Sequence, residues 1–162
     1  MEVTKIIRHD DYATPKSAWE NIAHLIPKDK VVWECFYADG TSGNDLKELG
    51  FNVIHEPIDF YENNLGDILI SNPPFGDTKN IMPRLKELDK PFIMIMPVSK
   101  LCCQYMRDTF KNGEIQIIIP KSRIHFIKLV DGKPIEGFKS TSPFDCFYYC
   151  YKMGFENNMV WL

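Results

Sequence analysis

Apolar and polar positions follow two rhythms along this chain, and the way those rhythms alternate predicts an α/β fold. Ala18, Trp19, Ile22, Leu25 and Ile26 recur at helical spacing after Thr14-Pro15, a hydroxyl N-cap followed by an imino acid, so a helix is predicted over residues 15–26. Lys30 to Glu34 reads as a short buried strand. Gly40-Thr41-Ser42-Gly43 turns into a second helix that ends at Gly50, and Phe51 to His55 is the next strand. Asp67 to Ser71 is a third strand, stopped by Asn72-Pro73-Pro74, where two imino acids end any ladder. Ile81, Leu85 and Leu88 mark a helix in which Pro83 is expected near the first turn, where its missing N–H leaves no helical bond unmade. Phe92 to Met96 is a strand. Ser99 opens a helix carrying Leu101, Cys102, Tyr105, Met106 and Phe110 that closes near Asn112-Gly113, and Ile115 to Ile119 is the strand after it. Strands alternating with helices predict a mostly parallel sheet covered on both faces, with ligands beyond the carboxyl ends of its strands. The last third departs: Arg123 to Val130, the turn Asp131-Gly132, and Phe144 to Met153 read as strands joined by a hairpin-like excursion.

Composition narrows this picture without changing it. The 162 residues, 44% hydrophobic, suit one domain with one core, and we expect a single domain over 1–162. No apolar run approaches the roughly 20 residues that cross a bilayer, and the N-terminus lacks the pattern of a signal peptide, so a cytoplasmic protein without membrane contact is expected. Cys35, Cys102, Cys103, Cys146 and Cys150 show no zinc-ligand spacing, which predicts reduced thiols and no metal. A net charge of −3 means that any nucleic-acid contact must come from a local basic patch or a partner.

Asn72-Pro73-Pro74-Phe75, placed directly after an apolar strand, is the most informative tetrapeptide. An adenine amino group is a poor nucleophile because its lone pair is delocalised into the ring, so an enzyme must hold acceptors against its two hydrogens. The Asn72 side-chain oxygen and the Pro73 carbonyl supply two, with the prolines fixing direction, while Phe75 can stack on a base. The plain alternative is a turn after a strand. Glu34-Cys35-Phe36-Tyr37-Ala38-Asp39-Gly40 is an acidic, glycine-containing loop at the position where an α/β sheet receives a nucleoside. Glu56, at the end of the second strand, can accept bonds from two ribose hydroxyls, and Asp59-Phe60 can bind an adenine amino group and pack on its ring; an exposed carboxylate and a core phenylalanine are the bland reading of that pair.

These segments resemble, in order and over residues 10 to 130, the S-adenosylmethionine-dependent amino-methyltransferases of DNA adenine, especially small phage and viral members. The resemblance implies a reduced Rossmann-like class I methyltransferase fold with an antiparallel C-terminal strand, and S-adenosyl-L-methionine as cofactor. Asp11-Tyr12-Ala13-Thr14-Pro15 is similar to the family's N-terminal cofactor motif. Tyr12, Thr14, Pro15, Glu34, Phe36, Asp39, Gly40, Glu56, Asp59, Phe60 and Asn72 are then the expected cofactor contacts, and Asn72, Pro73, Pro74 and Phe75 the expected catalytic loop. Lys121-Ser122-Arg123-Ile124-His125-Phe126 resembles the segment that puts an aromatic, here Phe126, on the other face of a flipped base, with Lys121 and Arg123 meeting phosphate; a basic surface turn is the competing reading. The polar loop Gly132 to Pro143, with Lys133, Lys139, Ser140 and Thr141, reads as a solvated hairpin that could border the substrate.

The chain departs from the family in three places. Ala38 stands where a glycine is usual, only two residues separate Glu56 from Asp59, and no length remains for a separate target-recognition domain. Specificity is therefore expected to be limited, borrowed from a recognition partner, or built by a homodimer. The expected reaction is methyl transfer to adenine N6 in DNA, in the host cytoplasm if the source is a phage or virus. RNA adenine or guanine amino groups are the nearest alternative, and a catalytically silent nucleic-acid-binding subunit is another.

Overall fold

The computed structural model describes residues 12–131, 133–134 and 144–162. In chain order they form β1 (Tyr12–Ala13), α1 (Lys16–Glu20), a 3-10 turn (Ala23–Leu25), β2 (Val31–Trp33), α2 (Thr41–Glu48), β3 (Asn52–Ile54), β4 (Ile68–Ser71), a 3-10 turn (Phe75–Asp77), α3 (Thr78–Leu88), β5 (Phe92–Pro97), a 3-10 stretch (Val98–Cys102), α4 (Gln104–Thr109), β6 (Ile115–Ile119), β7 (Ile127–Val130), β8 (Lys133–Pro134), β9 (Cys146–Tyr151) and β10 (Met159–Trp161).

Seven strands make one sheet in the order β10-β6-β9-β5-β4-β2-β3, in which β9 alone runs antiparallel to the rest. This is the mostly parallel, Rossmann-like sheet with an antiparallel late strand that the sequence predicts. Its two faces are written into β5 with a period of two. Ile93 and Ile95 join Trp19, Ile22 and Leu46 in one core, while Phe92, Met94 and Met96 join Ile81, Leu85 and Met106 in the other. Helices α1 and α2 thus cover one face, and α3 and α4 the opposite one. The buried tyrosines of β9 satisfy their hydroxyls on backbone carbonyls: Tyr148 donates to Ala18 at 2.6 Å and Tyr149 to Pro97 at 2.6 Å.

Several predicted elements differ in the structure. The helix over 15–26 is broken after Glu20, because the Tyr148 hydroxyl takes the Ala18 carbonyl that an α-helix would offer to Ile22. Ile22 N–H bonds to Trp19 instead at 3.2 Å, and the segment tightens into 3-10 geometry. Its N-cap is Pro15 rather than Thr14, with no side-chain cap. The helix predicted from Ser99 is split by Cys103, whose backbone is extended (φ −67°, ψ 144°). Pro83 sits well inside α3 rather than near its first turn. It is exposed, as is Lys79 one turn earlier, so water can serve the carbonyl that Pro83 leaves without a donor.

The predicted strand from Arg123 shrinks to β7, which pairs with β1 (Ala13↔Ile127) and β8 (Leu129↔Pro134) in a separate three-stranded sheet. It does not pair with β9, which inserts between β5 and β6. Lys133 and Pro134 form β8. Gly132, Lys139, Ser140, Thr141 and Pro143 of the expected polar loop, and Asp11, lie outside the described residues.

Candidate active site

Strand order reverses between β2, whose next strand β3 lies on one side, and β4, which lies on the other. Both end at the same rim, and the loops after them carry Glu34 to Gly40 and Asn72 to Phe75. A cavity of about 440 Å³ opens between these loops, within the range of small-molecule and cofactor sites. Of the expected residues, Tyr12, Thr14, Glu34, Phe36, Asp39, Asp59, Phe60, Asn72, Pro73, Pro74, Phe75 and Phe126 line it. Pro15, Gly40, Glu56, Lys121 and Arg123 do not.

Asn72 is held by one end of its amide. Nδ2 donates to the buried hydroxyl of Thr14 at 3.0 Å, while Oδ1 is buried with no hydrogen-bond partner among the described residues. An unpaired buried carbonyl oxygen costs about 1–3 kcal/mol, so the site retains an acceptor that a ligand's N–H would satisfy. The Pro74 carbonyl is engaged by the Asp77 N–H at 3.1 Å. Phe75 packs edge-on to Phe144 (5.4 Å) and Phe126 (6.4 Å). Both Phe75 and Phe126 are buried in the core as well as bordering the cavity.

Glu34 is the second anchored residue, only 1% exposed. Its Oε1 accepts from the Ser71 hydroxyl and from the Phe36 N–H at 3.4 Å, and Oε2 is buried without a partner among the described residues. Burial pushes this carboxyl up to about 7 against the opposing effect of the Ser71 hydrogen bond. Asp39 caps the start of α2 through the Thr41 N–H at 3.0 Å. In the same loop Ala38 has φ 49° and Gly40 φ 82°. A Cβ on Gly40 would lie 3.0 Å from the Tyr37 hydroxyl, so this turn admits no side chain without displacement.

An aromatic wall closes the far side, with the rings of Phe36 and Phe60 at 4.8 Å and those of Phe60 and Tyr61 at 5.2 Å. Asp59 uses Oδ1 to bind the N–H groups of Tyr61 (2.8 Å) and Glu62 (3.1 Å), which fixes the turn carrying that wall. The Tyr61 hydroxyl donates to Asp77 at 2.5 Å and so bridges this wall to the segment after Phe75. Glu56 is exposed and is not among the residues that border the cavity; its carbonyl accepts from the Ile58 N–H at 2.7 Å, and the chain turns there.

Four carboxylates border the cavity (Glu34, Asp39, Asp59, Asp77), and no Lys or Arg among the described residues does. Such a lining favours a cationic or amino-bearing ligand and leaves phosphates outside. Of the basic residues expected to meet phosphate, Arg123 pairs with Asp145 at 3.1 Å and Lys121 lines a different groove. Among the described residues, no cluster of His, Cys, Asp and Glu is placed to hold a metal ion, and no helix is long and apolar enough to cross a membrane.

No protein-family model and no curated protein sequence matches this chain. Two solved structures are similar in overall path. A TehB-like SAM-dependent methyltransferase from Corynebacterium glutamicum is 10% identical, covering 83% of this chain and 94% of its own, with a TM-score of 0.45. A precorrin-6y C5,15-methyltransferase from Geobacter metallireducens is 11% identical, covering 90% and 97%, again with a TM-score of 0.45.

Sequence reasoning did not single out several residues at the cavity. Tyr61 and Asp77 each lie within two positions of a chosen residue, and their tyrosine-to-carboxylate bond had no local signal. Ser71 directly precedes the Asn-Pro-Pro turn, yet its bond to Glu34 joins strands 37 positions apart in the chain. Ser42 borders the cavity while accepting from the Trp19 indole at 3.3 Å. Phe144 is recognisable only once the fold places it against Phe75.

Proposed function

We propose that this protein is an S-adenosylmethionine-dependent methyltransferase that acts on the N6 amino group of adenine in DNA, with single-stranded or loosely specified sites as substrate. The observation that carries the reading is the half-satisfied amide of Asn72. Thr14 holds its nitrogen, and the acceptor oxygen is left buried and unpartnered among the described residues, on a side chain that borders the cavity.

The residues present fit the cofactor. The orphan Glu34 Oε2 suits a ligand ammonium, and Phe36 and Phe60 offer apolar packing for a nucleoside base. Bound there, the cofactor would supply an electrophilic methyl on a sulfonium, which the carboxylate-rich lining favours electrostatically. Asn72 Oδ1 and the Pro73 carbonyl would accept the two amino hydrogens, which turns the nitrogen lone pair outward and stabilises the charge that grows on nitrogen. Proton loss then goes to water. Because phosphates are disfavoured in this acidic cavity, the base must leave its stack to enter, at a cost of a few kcal/mol that is least in single strands.

The test is incubation of the full chain with methyl-labelled cofactor and single-stranded DNA, duplex DNA or RNA, followed by mass spectrometry of the nucleosides. The expected product is N6-methyldeoxyadenosine, more from single strands than from duplex. Label in RNA alone would move the substrate to RNA. No labelled nucleoside from any substrate, or full activity in Asn72→Ala, would overturn the assignment.

A further inference from the structure

A second groove, of about 460 Å³, lies at the other end of the sheet, bordered by Trp161, Lys121, His24, Asn21 and Ser122. Among the described residues Lys121 and His24 are its ionisable side chains, whereas four carboxylates border the cavity at Asn72. Trp161 is 72% exposed, whereas Trp19 and Trp33 are fully buried. A large ring left in solvent beside a lysine is what a stacked base and its phosphate require.

Position supports the same occupant. β10 runs parallel to β6 with Trp161 opposite Ile119, and both run in the direction of β4. Trp161 therefore ends on the carboxyl rim that carries Asn72. Four strand intervals separate β4 from β10, a distance of roughly 19 Å along the rim that several nucleotides of one strand can span.

We propose that this groove binds a base of single-stranded nucleic acid, on the strand that carries the target and several nucleotides away from it; the second half of that statement rests on the reading of the Asn72 cavity given above. Trp161 stacks on the base, and Lys121 meets the phosphate. The groove supplies affinity beyond the target base in a chain whose net charge of −3 gives little general attraction for a polyanion.

Tryptophan emission tests this without catalysis, because Trp161 is the exposed indole of the three in the chain. Titration with adenine-free probes, an oligothymidine and an oligouridine of equal length, is expected to quench that emission and protect it from acrylamide. Trp161→Ala should weaken oligonucleotide binding roughly tenfold, and Trp161→Phe should restore most of it. Lys121→Ala should lower the slope of log affinity against log salt by about one. Preferential quenching by one probe assigns the groove to DNA or to RNA. Unquenched emission with both probes, or equal affinity in Trp161→Ala, would overturn the proposal, as would emission that follows protein concentration alone, which marks contact between copies. Quenching without methyl transfer keeps the groove and removes the enzyme reading; transfer with silent Trp161 does the opposite.

Discussion

The side-chain amide of Asn72 donates to the hydroxyl of Thr14 across 3.0 Å, joining residues 58 positions apart. With Nδ2 held there, Oδ1 is the end of the amide left as acceptor. Thr14→Val keeps the shape but removes the hydroxyl, so the amide is free to rotate and Nδ2 loses its partner. Transfer should fall roughly tenfold or more in kcat, with about 1 kcal/mol less stability, and Thr14→Ser should recover both. Steady-state kinetics with thermal unfolding separates the two effects; a fall in stability with unchanged kcat would mean that Thr14 only supports the fold.

Glu34 predicts a pH dependence with a definite sign. Its folded-state value of about 7 lies above the ordinary glutamate range because burial penalises the charge. Between about pH 4.5 and pH 7 the folded protein holds a proton that the unfolded chain has lost, so stability falls as pH rises through that window, by about 3 kcal/mol in all. Glu34→Gln should remove this loss, which denaturant unfolding from about pH 5 to about pH 8 would detect. A ligand ammonium at Oε2 favours the carboxylate, so wild-type affinity for the cofactor should rise with pH up to about 7 and then level off, whereas the glutamine variant should bind weakly at every pH.

The loop after β2 sets two opposite expectations for small substitutions. Ala38 occupies the left-handed region at φ 49°, which costs an L-residue about 1 kcal/mol or more. Ala38→Gly should therefore raise stability by roughly 0.5 kcal/mol once the extra freedom of the unfolded glycine is subtracted. Gly40→Ala should lower it, since φ is 82° and the new Cβ would meet Tyr37 at 3.0 Å and His55 at 3.2 Å. Gly43→Ala is more severe, with the His55 ring only 2.1 Å from the added carbon. Thermal unfolding of the three variants should rank them in that order.

The sheet was legible because β4 and β5 are continuous apolar runs bounded by proline, lysine or acidic residues, and the Asn-Pro-Pro turn follows from chemistry contained in four consecutive positions. What failed depended on distant residues. The break in the helix after Glu20 comes from Tyr148, 130 positions away, and no local pattern encodes it. β10 escaped notice because Met159-Val160-Trp161 is three residues long and follows a polar turn, and its pairing with β6 supplies its order. Glu56, expected at a ribose because it follows a strand, is followed by a tight turn at Ile58 and does not border the cavity itself. Arg123, expected at a phosphate, has Asp145 beside it, brought near by β9, a pairing that no local pattern announces.

Tyr61 and Asp77, which both border the cavity, tie the aromatic wall to the segment that follows Asn72-Pro73-Pro74-Phe75, hydroxyl to carboxylate at 2.5 Å. Burial first, and then the bond to Asp77, push the phenol above its ordinary range, so it stays a donor at any working pH. Neither residue reaches the amide of Asn72 by any bond seen here, and Asp77 is held independently by Asn80 at 2.7 Å. Tyr61→Phe should accordingly leave the loop in place while freeing the wall, with about 1 kcal/mol lost from stability. In the proposed function the cofactor packs against that wall, so its dissociation constant should rise a few-fold with kcat nearly unchanged. Calorimetric titration with S-adenosylhomocysteine beside single-turnover kinetics would read both, and a fall in the single-turnover rate with unaltered affinity would place Tyr61 at the substrate instead.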